Sequence, residues 1–120
     1  METLGASLAA QPYLSTMVIA AGLLQRHPGA QADALLADIV AGKAGVRFAT
    51  SEPHSRHRRA DVQTRLRRDG EGFVLDGRKA VVQGAPWASH TIVSARSHGE
   101  AGDTDGISLV LVPRDAPGLH

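Results

Sequence analysis

The feature that most constrains the fold is a change of hydrophobic spacing close to Val46. Before this point apolar residues recur at the spacing of an amphipathic helix. A first stripe consists of Leu14, Met17, Val18, Ala21 and Leu24. A second helix, from Gln31 to Gly42, carries its apolar residues at Leu35, Leu36, Ile39 and Val40. A short helical piece is also expected within residues 3–10.

After Val46 the chain consists of short apolar runs separated by turn residues, which is typical of β strands. The predicted strands are residues 46–50, 63–68, 73–75, 79–83, 91–96 and 106–112. Asp69-Gly70 and Asp76-Gly77 predict tight turns, because an Asp-Gly pair readily adopts the positive φ angles that such turns require. The fold class is therefore α+β: N-terminal helices followed by an antiparallel β sandwich or barrel-like segment. Because the sequence stops just after a strand, we expect that segment to be incomplete.

Composition excludes several kinds of site. The chain has no cysteine, which rules out disulfides and thiolate chemistry within these 120 residues. A formal net charge of +1 gives no overall attraction for nucleic acid or an anionic membrane. No apolar run approaches the roughly 20 residues that span a bilayer, and no signal-peptide pattern is visible. A cytoplasmic protein without a membrane segment is the expectation.

A cluster of basic residues follows the first strand, in the sequence HSRHRR at residues 54–59. It is compatible with a solvated loop, with a contact to phosphate groups through arginine, or with nucleic-acid binding. The shortage of aromatic side chains disfavours the last of these, since bases are commonly stacked on aromatic rings. His54 and His57 lack a third ligand at a suitable spacing, so no metal site is expected.

Four stretches resemble consecutive parts of the acyl-CoA dehydrogenase family. They are QPYLSTMVIAAGLLQR, LLADIVAGKAGVRFATSEP, GFVLDGRKAVVQGAPWASHTIVSAR and DGISLVLVPRDAPGL. Among subgroups the chain is most similar to diverse bacterial members that resemble the small subunit of pimeloyl-CoA dehydrogenase. The resemblance implies that residues 1–45 are the end of an all-α N-terminal domain and residues 46–120 the first part of a middle β domain.

The resemblance also implies a cofactor, a substrate and a reaction. Members of the family are FAD-dependent oxidoreductases that oxidise the Cα–Cβ bond of an acyl-CoA thioester. They act as oligomers, so a homo- or hetero-oligomer is expected. The glutamate that serves as the family's catalytic base would lie beyond His120. No catalytic residue is therefore expected in the chain, and the isolated 120 residues should be inactive.

Two segments resemble the flavin-contacting segments of the family. In the first, Phe48, Thr50 and Ser51 are the candidate contacts, and Glu52-Pro53 completes the matching half. The basic residues 54–59 replace the glycine-rich continuation. In the second segment Lys79 matches, whereas Val81 stands where the family has tryptophan and Gln83 where it has threonine; both are candidate flavin contacts. The alternative is a non-catalytic binding or assembly module derived from this fold, or, more weakly, nucleic-acid binding through residues 54–59.

Overall fold

The computed structural model describes residues 2–6 and 13–120. Its helices are α1 (Glu2–Ala6), a π-helical segment (Tyr13–Ala20) that continues directly into α2 (Ala21–Arg26), and α3 (Ala30–Val40). The short helix expected within residues 3–10 is thus helical over Glu2–Ala6, and residues 7–10 lie outside the described residues. None of the described helices has both the length and the apolar content needed to cross a bilayer.

The end of α3 agrees with its sequence signal. The helix stops at Val40, and Gly42 follows in the left-handed region at a φ of 70°. The Gly42 N–H donates to the carbonyl of Ile39 at 3.0 Å and the Lys43 N–H to that of Asp38 at 2.8 Å. A glycine just past the last helical residue adopts this conformation at little cost, which is why the helix ends there.

The strands form one mixed sheet of five. They are β1 (Val46–Ala49), β2 (Arg65–Asp69), β3 (Gly72–Asp76), β4 (His90–Arg96) and β5 (Ile107–Pro113). Strand β4 is central: β5 pairs with it antiparallel along its whole length, and β1 pairs with it parallel. Strand β2 joins the far end of β4 through the pair Arg65 and Arg96 and carries β3 on its outer side.

The α+β class is confirmed, but the expectation of a purely antiparallel sandwich or barrel needs correction. The pairing of β1 with β4 is parallel, and the sheet is not closed. Alternation along a strand reports which face is buried and carries no information on the direction of its neighbour. The β2–β3 hairpin lies between β1 and β4 in the sequence, so the pairing of β1 with β4 joins segments that are far apart in the chain.

Of the two predicted tight turns only the first is confirmed, and one of the six predicted strands is absent. The β2–β3 hairpin forms as expected, with Gly70 at a φ of 59° in its loop. At Gly77 there is no tight turn; a Cβ there would lie 2.5 Å from Thr64 Oγ1, so glycine allows two backbones to approach closely. The strand predicted at residues 79–83 is wrong, because Val81 has a φ of 56° and the segment is irregular.

The core lies between the helices and the sheet. It is formed by Ala20, Leu24, Leu35, Ile39, Val46 and Ile92. The predicted first stripe is wrong at its N-terminal half, where Leu14, Met17 and Val18 are 64%, 42% and 50% exposed. A π-helix holds more residues per turn than an α-helix, so positions three and four apart no longer share one face. Thr16 and Ala20 are buried in their place.

Candidate functional site

A buried ion pair joins the two segments that the sequence singled out. Glu52 follows β1, and its side chain is only 2% exposed. Its Oε1 accepts a hydrogen bond from Lys79 Nζ at 2.7 Å, and Lys79 also donates to Ser94 Oγ on β4 at 3.0 Å. The end of β1, the Lys79 segment and the central strand are therefore held together by one charged network.

Three further donors complete the surroundings of the Glu52 carboxylate. Thr64 donates its hydroxyl at 2.6 Å and its N–H at 3.0 Å, and Gln63 donates its N–H at 2.9 Å. Burial raises the pKa of Glu52, but the hydrogen bonds from Lys79, Thr64 and Gln63 outweigh it. The net effect is that the pKa of Glu52 falls from 4.5 to about 2. Glu52 is thus a fixed negative charge, and it is not suited to proton transfer near neutral pH.

The predicted site residues fall into two groups. The Ala80 N–H donates to the Ser51 carbonyl at 2.8 Å, so the two candidate segments run side by side there. Thr50, Ser51, Val81 and Gln83 are all exposed. Phe48 is different, because it is only half-exposed and its ring packs against the core between helices and sheet. The structure therefore brings Ser51 next to the start of the second segment and leaves the side chains of four of the five candidates accessible.

Val81 has an unusual backbone for its residue type. Its φ of 56° lies in the left-handed region, and its side chain is 86% exposed. A β-branched residue in this region is strained, and such strain is concentrated at functional sites. Gly84, in the turn that follows, also has a left-handed backbone, with a φ of 70°. The second segment is therefore a strained, exposed turn beside Ser51.

Two of the basic residues after Pro53 lie next to the acidic side chains of Glu52 and Asp61. His54 Nε2 lies 3.5 Å from Glu52 Oε2 and 3.7 Å from Asp61 Oδ1, and Arg58 donates to Asp61 at 2.8 Å. Arg56, His57 and Arg59 have no acidic partner in the part of the chain that the structure describes. No group of three or more histidine or acidic side chains capable of holding a metal ion occurs among residues 2–6 and 13–120.

Two buried arginines were not anticipated from the sequence. Arg96, 1% exposed, binds the carbonyls of Ala60 and Val62 and so fixes the far end of the basic loop. Arg47, 5% exposed, contacts the π-helical segment through Thr16. The sequence feature that could have revealed them is an arginine within an apolar strand. A charged side chain in such a position is buried and needs hydrogen-bond partners within the protein.

An open cleft of about 520 Å³ lies at the other end of β4. It is lined by residues 87–90 and 113–115, including Trp87, His90 and Arg114. Trp87 is 79% exposed, in a short 3₁₀ turn at Ala85–Trp87. Because this cleft lies where β4 begins, it is separate from the Glu52–Lys79 network, which reaches β4 at Ser94.

Comparison with known proteins decides the family. A family model described as "Acyl-CoA dehydrogenase, middle domain" matches residues 47–120, which is more than half of the chain. The chain belongs to the acyl-CoA dehydrogenase family. The match begins at the residue before Phe48, so both candidate flavin segments and all of the sheet except Val46 lie within the matched residues.

Similar proteins share only part of their length with this chain. The mitochondrial isobutyryl-CoA dehydrogenase of Dictyostelium discoideum is 28% identical over 115 residues, which are 95% of this chain and 27% of that relative. Amino sugar nitrososynthase RubN8 of Streptomyces rubradiris is 49% identical over 57 residues, 47% of this chain and 13% of that relative. The chain thus spans about a quarter or less of these relatives.

A solved structure gives the same result for the fold. The glutaryl-CoA dehydrogenase of Mycobacterium smegmatis in complex with FADH2 superposes with a TM-score of 0.71 at 30% identity. The superposition covers 82% of this chain and 24% of the other. The mixed sheet and the helices packed on it are therefore an acyl-CoA dehydrogenase arrangement.

Proposed function

We propose that this chain supplies the flavin-contacting edge of an acyl-CoA dehydrogenase-like flavoenzyme. The observation that carries the proposal is the hydrogen bond between the Ala80 N–H and the Ser51 carbonyl, 2.8 Å long. This bond holds the two segments that resemble the family's flavin contacts side by side. The buried Glu52–Lys79 ion pair joins the same two segments a second time. FAD, when bound, would accept the hydride in the oxidation of the acyl-CoA Cα–Cβ bond.

The residues at this edge fit the polar side of an isoalloxazine ring. Thr50 and Ser51 offer hydroxyl groups and Gln83 an amide, and all three are exposed. Val81 offers an apolar contact in place of the family's tryptophan. Because the Phe48 ring belongs to the core, its contribution would come from the backbone. This chain's part is to orient the cofactor; residues 1–45 would be the end of the family's helical domain.

The proposal is tested by mapping flavin binding on the isotope-labelled 120-residue chain with nuclear magnetic resonance, which detects weak complexes. Riboflavin and FAD should shift the amide signals of residues 48–51 and 80–84. The double variant Ser51→Ala/Gln83→Ala should reduce those shifts, whereas Ser97→Ala, an exposed serine outside these segments, should leave them unchanged. Flavin-induced shifts confined to other regions, or none at all, would contradict the proposal.

The chain by itself should not catalyse the reaction. Among the described residues of this edge Glu52 is the one buried carboxylate, and it already accepts hydrogen bonds from Lys79 and from three further donors of Gln63 and Thr64. We therefore expect no bleaching of FAD when butyryl-CoA is added to the chain without oxygen. Bleaching would show that a working base lies within these residues.

A second candidate concerns the substrate. The 49% identity over 57 residues with an amino sugar nitrososynthase favours oxidation of an amino sugar as the alternative to acyl-CoA oxidation. Both would use the same flavin edge. Butyryl-CoA and an amino sugar should be compared as ligands of the chain in the presence of FAD. The compound that shifts signals next to residues 48–51 identifies the substrate class.

The remaining alternative is a binding or assembly module. Leu14, Met17 and Val18 present apolar surface on the π-helical segment, which suits association in a homo- or hetero-oligomer. Sedimentation of the chain discriminates, because a monomer at all accessible concentrations argues against self-association. Nucleic-acid binding through residues 54–59 would require retention of DNA or RNA that falls steeply with salt. The cytoplasmic location stays a prediction.

A further inference from the structure

The basic loop of residues 54–59 carries a local positive charge. Its three arginines are balanced within residues 54–61 by Asp61 alone, so this stretch has a formal charge of +2 with histidine neutral. The whole chain has a formal net charge of +1. The loop therefore attracts anions locally, although the chain as a whole gives almost no such attraction.

Two of the basic side chains are already occupied, and so are the acidic side chains beside them. Arg58 Nη2 donates to Asp61 Oδ2 at 2.8 Å. His54 Nε2 lies 3.5 Å from Glu52 Oε2, and Glu52 also accepts a hydrogen bond from Lys79 Nζ at 2.7 Å. These groups interact with one another, so we do not expect them to bind a ligand.

Arg56, His57 and Arg59 remain accessible to a ligand. All three side chains are exposed, and none has a hydrogen bond or an ion pair with a group in residues 2–6 and 13–120. Their N–H groups are therefore free to donate to an anion. One loop thus presents two permanent cations and a histidine that is cationic when protonated.

The backbone brings Arg56 and Arg59 close together through two consecutive tight turns. The Arg58 N–H donates to the Ser55 carbonyl at 2.9 Å, and the Asp61 N–H donates to the Arg58 carbonyl at 3.1 Å. Arg56 is a central residue of the first turn and Arg59 of the second. Even an extended chain would separate their Cα atoms by no more than about 11 Å, and the two turns shorten that distance. Their long side chains can therefore reach the same ligand.

The loop is held in place by buried groups. Ser55 is 3% exposed, and its Oγ accepts a hydrogen bond from the Glu52 N–H at 3.0 Å. Arg96, which is fully buried, donates to the Ala60 carbonyl at 2.8 Å. Arg56 has a φ of 49°, in a left-handed region that is rare for residues other than glycine and is often found at functional sites. Binding would therefore order side chains but not the backbone, which lowers its entropic cost.

Two neighbouring arginines suit a diphosphate. A guanidinium group presents its N–H donors as a planar fork that binds phosphate oxygens through paired hydrogen bonds, and a diphosphate offers two phosphate groups. Arg67 and Arg68 are also exposed, but they are consecutive residues of β2. Side chains of consecutive strand residues point to opposite faces of a sheet, so these two cannot share one ligand.

We propose that Arg56 and Arg59, assisted by His57, bind the diphosphate group of a nucleotide ligand. The loop starts three residues after Ser51, so this diphosphate would lie beside the candidate flavin contacts. Coenzyme A and FAD both contain a diphosphate, and the choice between them rests on the proposed function. The site itself needs no flavin, because every group that forms it belongs to the chain.

The first test uses the isotope-labelled chain without flavin, with inorganic pyrophosphate as the probe. Nuclear magnetic resonance should show saturable shifts of the amide signals of residues 55–60. Sodium chloride at equal ionic strength should not reproduce them, and the amide signals of Arg67 and Arg68 should move less. Shifts of equal size in β2, or an equal response to chloride, would overturn the proposal. Such a failure would leave the flavin edge unaffected, since riboflavin, which probes that edge, contains no phosphate.

Matched double variants then assign the binding to the loop. Arg56→Gln/Arg59→Gln should weaken pyrophosphate binding about tenfold or more, because charge-assisted hydrogen bonds are lost. Arg67→Gln/Arg68→Gln removes the same charge from exposed positions and should weaken binding less than about twofold, through general attraction only. Both variants should fold, since none of the four side chains has a partner among the described residues. Equal weakening by the two variants would overturn the proposal.

The same variants identify the nucleotide ligand. Coenzyme A and FAD are titrated separately into the unsubstituted chain and into Arg56→Gln/Arg59→Gln. The ligand that loses affinity in this variant is the one whose diphosphate the loop binds. Unchanged affinity for both ligands would contradict the proposal. Tighter binding of a short DNA oligonucleotide than of either ligand would assign the loop to nucleic acid and would overturn the proposal as well.

Discussion

The Glu52→Gln substitution tests the network under the candidate site most directly. Glutamine keeps the size of the side chain, and its carbonyl oxygen can still accept from Lys79 or Thr64. It loses the negative charge, and its amide group would face the Gln63 N–H, which now donates to Oε2 at 2.9 Å. Lys79, whose side chain is 9% exposed, would lose its charged partner and keep only neutral acceptors such as Ser94.

The expected loss follows from the pKa of Glu52. A pKa lowered from 4.5 to about 2 corresponds to a contribution of about 3 kcal/mol at neutral pH, at about 1.4 kcal/mol per unit. Because the carboxylate is 2% exposed, solvent screening does not reduce this value much. Removing one member of a buried ion pair costs about 3–5 kcal/mol in other proteins. We expect Glu52→Gln to lower the free energy of unfolding by about 3 kcal/mol.

The same carboxylate predicts a pH dependence. Since its pKa is lower in the folded chain than in the unfolded one, its contribution is complete above the unfolded value of 4.5. It disappears as the pH falls from there towards about 2. Glu52→Gln should therefore lose less stability than the unsubstituted chain over that window.

Urea unfolding followed by circular dichroism measures both effects. Glu71→Gln is the matched control, because Glu71 is an exposed carboxylate in the β2–β3 loop and forms no salt bridge with a residue that the structure describes. It should change stability by less than about 0.5 kcal/mol. The double variant Glu52→Gln/Lys79→Met should recover part of the loss, since no charge is then buried alone. A Glu52→Gln chain as stable as the control at neutral pH would contradict a stabilising role for the buried Glu52–Lys79 pair.

Two backbone predictions concern the other unusual positions. Val81→Asn should raise the free energy of unfolding by about 1 kcal/mol, because asparagine tolerates the left-handed region and the valine buries almost nothing. Val40→Asn, at an exposed helical position, is the control and should not stabilise. Gly77→Ala should destabilise by more than about 2 kcal/mol, since its Cβ would lie 2.6 Å from the Thr64 Cα. Gly22→Ala, which meets nothing within 4 Å, should stabilise by up to about 1 kcal/mol. Urea unfolding checks all four, and the opposite sign at Val81 or Gly77 would contradict the account of that position.

Local signals in the sequence predicted the elements whose geometry depends on neighbouring residues. The end of α3 at Gly42 and the β2–β3 hairpin at Gly70 both follow from glycine in the left-handed region. The spacing after Val46 predicted five strands whose central residues match the observed ones. The resemblance of four consecutive stretches, which together cover most of the chain, identified the correct family.

Local signals failed where distant contacts override them. Lys79 to Gln83 has β-forming residues, yet Val81 turns left-handed in a segment that is tied to Ser51 and Glu52. The Asp76-Gly77 pair signals a turn, yet the glycine serves to let the chain pass Thr64. Leu14, Met17 and Val18 have helical spacing, yet the π-helical turn directs them to solvent.

The end of α3, the β2–β3 hairpin, the α+β class and the family could therefore be predicted from the sequence alone, because they depend on residue type and near-neighbour geometry. The parallel pairing of β1 with β4, the buried Glu52–Lys79 pair and the burial of Arg47 against Thr16 depend on the tertiary structure. Each of these joins residues far apart in the chain. Charged groups can be buried only where distant donors and acceptors converge on them, and no local pattern records that convergence.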